Sequence, residues 1–214
     1  MTSIIKENIF GMKKFKAAII GCGAIFPMHA VSVVKYCDKV ELVAVCDVKE
    51  DRAKQKAAEF GCKYYTDYKE MIEKEQLDVV HLCLPHYLHS VVAIYAMERG
   101  IHVLTEKPMS ITLDEAKAMI ETAKKNNVTL GCIFQNHYNA GTVLVKEEIA
   151  SGRLGKILSG KCFVTWNRSD EYYGKSDWKG TWDKEGGGVV IDQAIHTLDM
   201  MRYIIDEDID YIEA

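Results

Sequence analysis

Residues 15–23 read Phe15-Lys16-Ala17-Ala18-Ile19-Ile20-Gly21-Cys22-Gly23, a short apolar, β-rich run closed by two glycines one residue apart. Pro27 follows at a place suited to the first turn of a helix, where the missing N–H removes no intrahelical bond. A strand, a glycine turn and a helix in succession are the context in which a Gly-x-Gly loop cradles a phosphate. The first glycine allows the tight turn and the second lets backbone approach a pyrophosphate. The helix N-terminus adds the positive end of its dipole. The third glycine of that fingerprint is replaced by Phe26, and the loop taken alone fits a plain strand–turn–helix corner nearly as well.

The chain on either side settles the class. Val40–Cys46 and Lys63–Tyr65 read as strands, and Glu50–Phe60 (stopped by Gly61) and Tyr68–Lys74 as helices. Residues 77–84 form a nearly continuous apolar run, as expected of a strand buried on both faces. A helix over 88–99 ends at Gly100 and leads into a strand at 101–104. A helix over 112–126 opens with Thr112 and Glu115 at capping-box spacing, and a strand follows at 129–134. Strands alternating with helices at this spacing predict βαβ units with right-handed crossovers, hence an α/β, doubly wound parallel sheet of Rossmann type over 1–134. Residues 1–11 read as an extension ahead of it. Residues 135–214 predict a helix at 142–151, a long strand at 156–166, a polar aromatic loop at 167–185, a helix at 188–205 and entry to another strand at 210–214. A strand and a half make no stable sheet, so this part reads as an incomplete α+β substrate domain, truncated and weak or inactive as a catalyst by itself.

Composition narrows the function classes. Of 214 residues, 48% are hydrophobic and 27% charged, with three prolines, which is enough apolar material for a packed core and unlike a disordered chain. A net charge of −4 offers no footprint for nucleic acid or an anionic membrane surface. The seven cysteines (22, 37, 46, 62, 83, 132 and 162) form no C-x-x-C pair and sit mostly in apolar runs such as Val43-Ala44-Val45-Cys46. They predict a reduced, cytoplasmic protein. Lys13-Lys14 before the first strand superficially suggests a signal peptide, but the glycines interrupt the apolar run and no cleavage site follows.

Asp47 ends the strand Val40–Cys46, about 20 or more residues beyond the glycine loop, where a carboxylate accepts both ribose hydroxyls of an adenosine half and repels a 2′-phosphate. It favours NAD over NADP; the other reading is a helix N-cap ahead of Glu50, and the two are compatible. Leu84, Pro85 and His89 follow one parallel strand and Glu106-Lys107-Pro108 another, at the carboxyl ends where open α/β sheets bind ligands. Lys107 suits a bond to a substrate hydroxyl, and equally an ordinary solvated lysine. His86 and His89 have no third ligand at metal spacing, so no metal is expected. Beyond Gly186-Gly187-Gly188, Asp192, His196, Asp199 and Tyr203 fall on one helical stripe, with Val190, Ala194, Met201 and Ile205 opposite as the expected buried side. A histidine with carboxylates one turn away suits a general base, and the same stripe also suits a solvated face.

The ordered set resembles the glucose–fructose oxidoreductase / inositol 2-dehydrogenase (Gfo/Idh/MocA) family. It comprises Gly21-Cys22-Gly23 with His29, Asp47, Leu84-Pro85 to His89, Glu106-Lys107-Pro108, Gln135-Asn136-His137-Tyr138-Asn139, and Gly186-Gly187-Gly188 to Asp192 and His196-Thr197-Leu198-Asp199. The resemblance runs from about residue 14 to 201 and implies NAD(P)-dependent hydride transfer at a secondary carbon of a sugar, cyclitol or nucleotide-sugar. It implies Lys107, Asp192 and His196 as catalytic residues. Cofactor contacts would lie at Gly21, Gly23, Ala24, Ile25, Asp47, Leu84, Pro85, His89, Glu106, Lys107 and Gln135. Substrate contacts would lie at Lys107, Tyr138, Arg168, Trp178, Asp192 and His196. The aromatic loop from Trp166 to Trp182 suits sugar faces, and structural packing accounts for it equally well. A homo-oligomer is implied too. Two further classes share the fold: glycoside hydrolases that use NAD transiently, and dinucleotide-binding proteins without catalysis.

Overall fold

The computed structural model describes residues 14–174 and 176–213, so the expected extension at 1–11 lies outside the described residues. The sheet comprises β1 (Phe15–Ile20), β2 (Val40–Cys46), β3 (Lys63–Tyr65), β4 (Val79–Leu82), β5 (His102–Thr105) and β6 (Leu130–Cys132). All pairs are parallel, in the order β3-β2-β1-β4-β5-β6. The chain therefore crosses from one half of the sheet to the other between β1 and β4, the switch point at which such sheets open a crevice. Ile20 pairs with both Cys46 and Leu82, and Leu82 with Thr105, so the carboxyl ends of four strands stand level.

Helices cover both faces: α1 (Phe26–Tyr36) and α2 (Glu50–Phe60) on one, α3 (Tyr68–Lys74), α4 (His89–Met97) and α5 (Leu113–Lys125) on the other. The period of two along β1 divides its side chains between the layers. Ala18 and Ile20 pack with Met71, Met97 and Met119, whereas Ile19 packs with Phe26, Val33 and Ala57. Phe26 is fully buried and meets Phe60 of α2 edge-on, ring centres 5.6 Å apart. The bulk that departs from the glycine fingerprint thus becomes a wedge between two helices.

The capping box at α5 forms as expected: Glu115 N–H donates to Thr112 Oγ1 at 3.3 Å and Thr112 N–H to Glu115 Oε2 at 3.2 Å. Thr112→Ala should cost about 1 kcal/mol of stability, read as a lower urea midpoint at unchanged slope.

The described residues fall into two compact units, dividing between Cys132 and Ile133. In the second, a 3-10 turn at Gln135–Tyr138 leads into α6 (Ala140–Ala150); α7 (Asp170–Gly174) and α8 (Ile195–Ile205) follow. Three expectations differ from the structure. Residues 156–166 form no strand: Leu158 and Phe163 are 88% and 82% exposed, and Gly160 passes beside Met201 and Ile205 of α8. An alternating pattern is local, but a strand exists only when a neighbour takes its N–H and C=O groups. Residues 210–213 are likewise irregular. The C-terminal helix begins with a single π turn, Val190–Ala194, and its buried side is the polar one. Asp192, Gln193 and His196 are buried, while Val190 is 62% exposed. The stripe itself holds, since Asp199 and Tyr203 on the same side meet His137, and it is the expected buried side that departs.

Candidate functional site

The glycine loop is squeezed between two strand ends. Gly21 N–H donates to Cys46 O at 2.7 Å, and a Cβ on Gly21 would stand 2.2 Å from the carbonyl oxygen of Cys83, at φ +97°. Only glycine fits. Gly23 is the opposite case: a Cβ there would meet nothing within 4 Å, so its backbone faces open space. Ala24 and Ile25 complete an exposed turn into α1, whose N-terminus has no side-chain cap and no acidic residue in its first turn. Open space above Gly23 and an uncapped helix end fit a pyrophosphate.

Asp47, 8% exposed, closes the other side. Its Oδ2 accepts Cys22 N–H at 2.9 Å and lies 3.2 Å from Arg52 Nη1; its Oδ1 accepts Lys49 N–H at 2.8 Å. The N-cap of α2 is Lys49, not Asp47, so the carboxylate chiefly ties the end of β2 to the glycine loop. The contribution of Arg52 went unnoticed in the sequence, although Asp47 and Arg52 straddle the start of α2.

Beyond β4, Pro85 leads into a 3-10 turn at His86–Leu88. His89 is wholly buried, with Nδ1 2.7 Å from Pro108 O and Nε2 3.0 Å from Leu84 O; it joins the loops after β4 and β5. Burial pushes its imidazole pKa down against the pull of the two carbonyls. Among the described residues no group of histidine, cysteine and acidic side chains could hold a metal ion. Nor is any helix long and apolar enough to cross a membrane.

Glu106 and Lys107 follow β5, and the Lys107–Pro108 peptide is cis. Glu106 Oε1 accepts from His29 Nε2 at 2.9 Å, its Oε2 accepts Lys107 N–H at 3.3 Å, and His29 Nδ1 lies 3.2 Å from His81 Nδ1. Burial pushes the Glu106 carboxyl up, but the bond and charge of His29 outweigh it and leave it below its ordinary value. Burial, then the charge of His29, pushes His81 down to about 4. His81 escaped the sequence reading. The available signal was a polar side chain inside an apolar strand, which demands a partner.

In the second unit, Gln135 and Tyr138 are exposed on the 3-10 turn, while His137 between them bonds Asp199 and stacks on Tyr203 at 3.8 Å. The aromatic loop gathers at the π turn. Tyr172 O–H donates to Asp192 Oδ2 at 3.3 Å, Gln193 Nε2 to the same oxygen at 2.5 Å, and Arg168 Nη2 to Gln193 Oε1 at 2.8 Å. Lys179 bonds Tyr172 and lies 5.2 Å from the Trp178 ring centre. His196 is buried one turn on, edge-on to Phe134. Asp192 is thus joined to Tyr172, Gln193, Arg168 and Lys179, a cluster whose Gln193 and Lys179 were not anticipated. Of the expected catalytic residues, Lys107 belongs to the first unit, Asp192 and His196 to the second.

Residues 15–134 match the profile of an oxidoreductase family with an NAD-binding Rossmann fold, and residues 142–214 match the GFO/IDH/MocA C-terminal domain. The chain is similar to D-glucoside 3-dehydrogenase of Escherichia coli K12, 33% identical over 89% of this chain and 54% of that protein. It is also similar to myo-inositol 2-dehydrogenase of Thermotoga maritima, 31% identical over 93% of this chain and 57% of that protein. Among solved structures, the WlbA dehydrogenase of Chromobacterium violaceum, in complex with NADH and UDP-GlcNAcA, superposes with a TM-score of 0.85. That match has 32% identity and covers 91% of this chain and 56% of the other. The chain spans about half the length of the curated relatives it matches.

Proposed function

The chain belongs to the Gfo/Idh/MocA oxidoreductase family, and from that premise we propose an NAD-dependent dehydrogenase acting at a secondary alcohol carbon of a sugar, cyclitol or nucleotide-sugar. The observation that carries the cofactor half is the buried Asp47 carboxylate bonded to the Cys22 N–H inside the glycine loop. It sets a negative charge where a ribose hydroxyl would be welcome and a 2′-phosphate repelled. Residues 1–134 form the cofactor domain in this reading, and 135–214 belong to the substrate domain.

When bound, NAD supplies the hydride acceptor; the chain's own residues bind and orient the substrate and move its proton. By resemblance to the family motifs, Lys107 holds the reacting hydroxyl oxygen by a charge-assisted bond, Asp192 supplies a carboxylate, and His196 takes the hydroxyl proton. Arg168, Tyr138 and Trp178 receive the rest of the sugar. The relatives' names support this substrate class, and the free thiols of all seven cysteines support a cytoplasmic setting. A homo-oligomer belongs to the same proposal.

The test follows NADH formation against a panel of polyols, sugars and nucleotide-sugars with the wild type, Lys107→Met and His196→Asn. Each substitution should lower turnover by about 10²–10⁴-fold while leaving NAD binding in calorimetry within about threefold. Glycoside cleavage without net NADH, or no change in either variant, would overturn the dehydrogenase assignment.

A further inference from the structure

Three side chains brought together from distant parts of the first unit have no part in the chemistry above. His29 stands on α1, the helix whose N-terminus faces the glycine loop, His81 on β4, and Glu106 directly after β5. The side chains of His29 and Glu106 are 4% and 14% exposed. A carboxylate only accepts, so the 2.9 Å contact to Glu106 Oε1 requires a proton on His29 Nε2. The group facing His29 Nδ1 at 3.2 Å is His81 Nδ1, and one proton is shared along that contact. The other oxygen of Glu106 takes the backbone N–H of Lys107. The bonds therefore form one continuous chain, from His81 through His29 to the carboxylate, with the peptide of Lys107 held from the far side. The low His81 pKa and the anionic Glu106 both agree with a proton held on His29 between them.

We propose that His29 and His81 are positioning residues whose hydrogen-bond relay, running from β4 through the cofactor helix α1 to Glu106, couples the seating of the dinucleotide on α1 to the placement of Lys107. The inference rests on the reading above, in that α1 seats NAD and Lys107 meets the substrate. A side chain bonded at both ring nitrogens transmits a small shift of α1 to the Glu106–Lys107 peptide, because either bond lengthens if the ring moves alone.

The experiment uses the full chain labelled with ¹⁵N. Long-range proton–nitrogen spectra at pH 7 should show a proton on His29 Nε2 and a neutral His81. NADH titration should move the Lys107 amide resonance. His29→Leu should cut that movement severalfold and weaken NADH about tenfold, whereas His29→Gln, whose amide N–H can replace Nε2–H, should restore both to within about twofold. A merely space-filling His29 would show no such rescue. A His29 found as the Nδ1–H tautomer, or Leu and Gln variants that behave alike beside an NADH-binding wild type, would overturn the proposal. A wild type that binds no NADH would overturn the cofactor reading and the coupling, while the tautomers still judge the relay itself.

Discussion

Gly21→Ala is expected to abolish NAD binding and to destabilise the first unit by about 3–5 kcal/mol, the sum of a strained backbone and an overpacked contact. The new Cβ would stand 2.2 Å from the Cys83 carbonyl oxygen and 2.7 Å from its carbon, and both are backbone atoms of the segment that leaves β4. Relief requires β1 and β4 to part or the φ of +97° to change, and either breaks the loop. Gly23→Ala is the matched control. A Cβ there meets nothing within 4 Å, so urea unfolding should stay within about 0.5 kcal/mol of wild type. NAD affinity should nevertheless fall at least tenfold or so, because the methyl would occupy the space proposed for the pyrophosphate. Calorimetry and urea titration of the pair separate fold from site. A Gly23→Ala chain that binds NAD like wild type would move the pyrophosphate elsewhere.

The second large effect is expected at Asp47. Asp47→Ala removes the acceptor of two backbone N–H groups, Cys22 and Lys49, and the partner of Arg52 in one step. Loss of the bonds that shape the loop, together with the ribose acceptor, should lower NAD affinity about 100-fold and stability by about 2 kcal/mol. NADP should suffer less, because the repelling carboxylate is gone and the guanidinium of Arg52, released from its ion pair, faces a 2′-phosphate with a complementary charge. The ratio of NAD to NADP affinity measures this directly. Wild type binding NADP more tightly than NAD would refute the assigned preference.

The parts of this protein that were legible in its sequence are those in which a residue's neighbours along the chain decide its state. The strand β1 was readable because Ala17 to Ile20 are buried on both faces of a sheet. The start of α5 was readable because Thr112 and Glu115 complete each other's hydrogen bonds within one turn. The family motifs were readable for the same reason, as short strings at the ends of strands. The segment 156–166 misled because alternation states a preference, whereas pairing requires a partner the sequence does not name. The stripe from Asp192 to Tyr203 was legible, but its being the buried side was not, because the partners of Asp192 and Asp199, Tyr172 and His137, come from elsewhere in the chain.

The sequence by itself determined the order of elements, the Rossmann class, the glycine loop and the identity of Asp47 and Lys107 as strand-end groups. Tertiary structure alone decided that Asp47 grips Cys22 and Arg52, that Phe26 wedges α1 against α2, and that His29, His81 and Glu106 form a chain of bonds. The reason is the crossover in strand order. Setting β4 beside β1 and β5 beside β4 brings together residues 52 and 77 positions apart, a proximity that no local periodicity encodes.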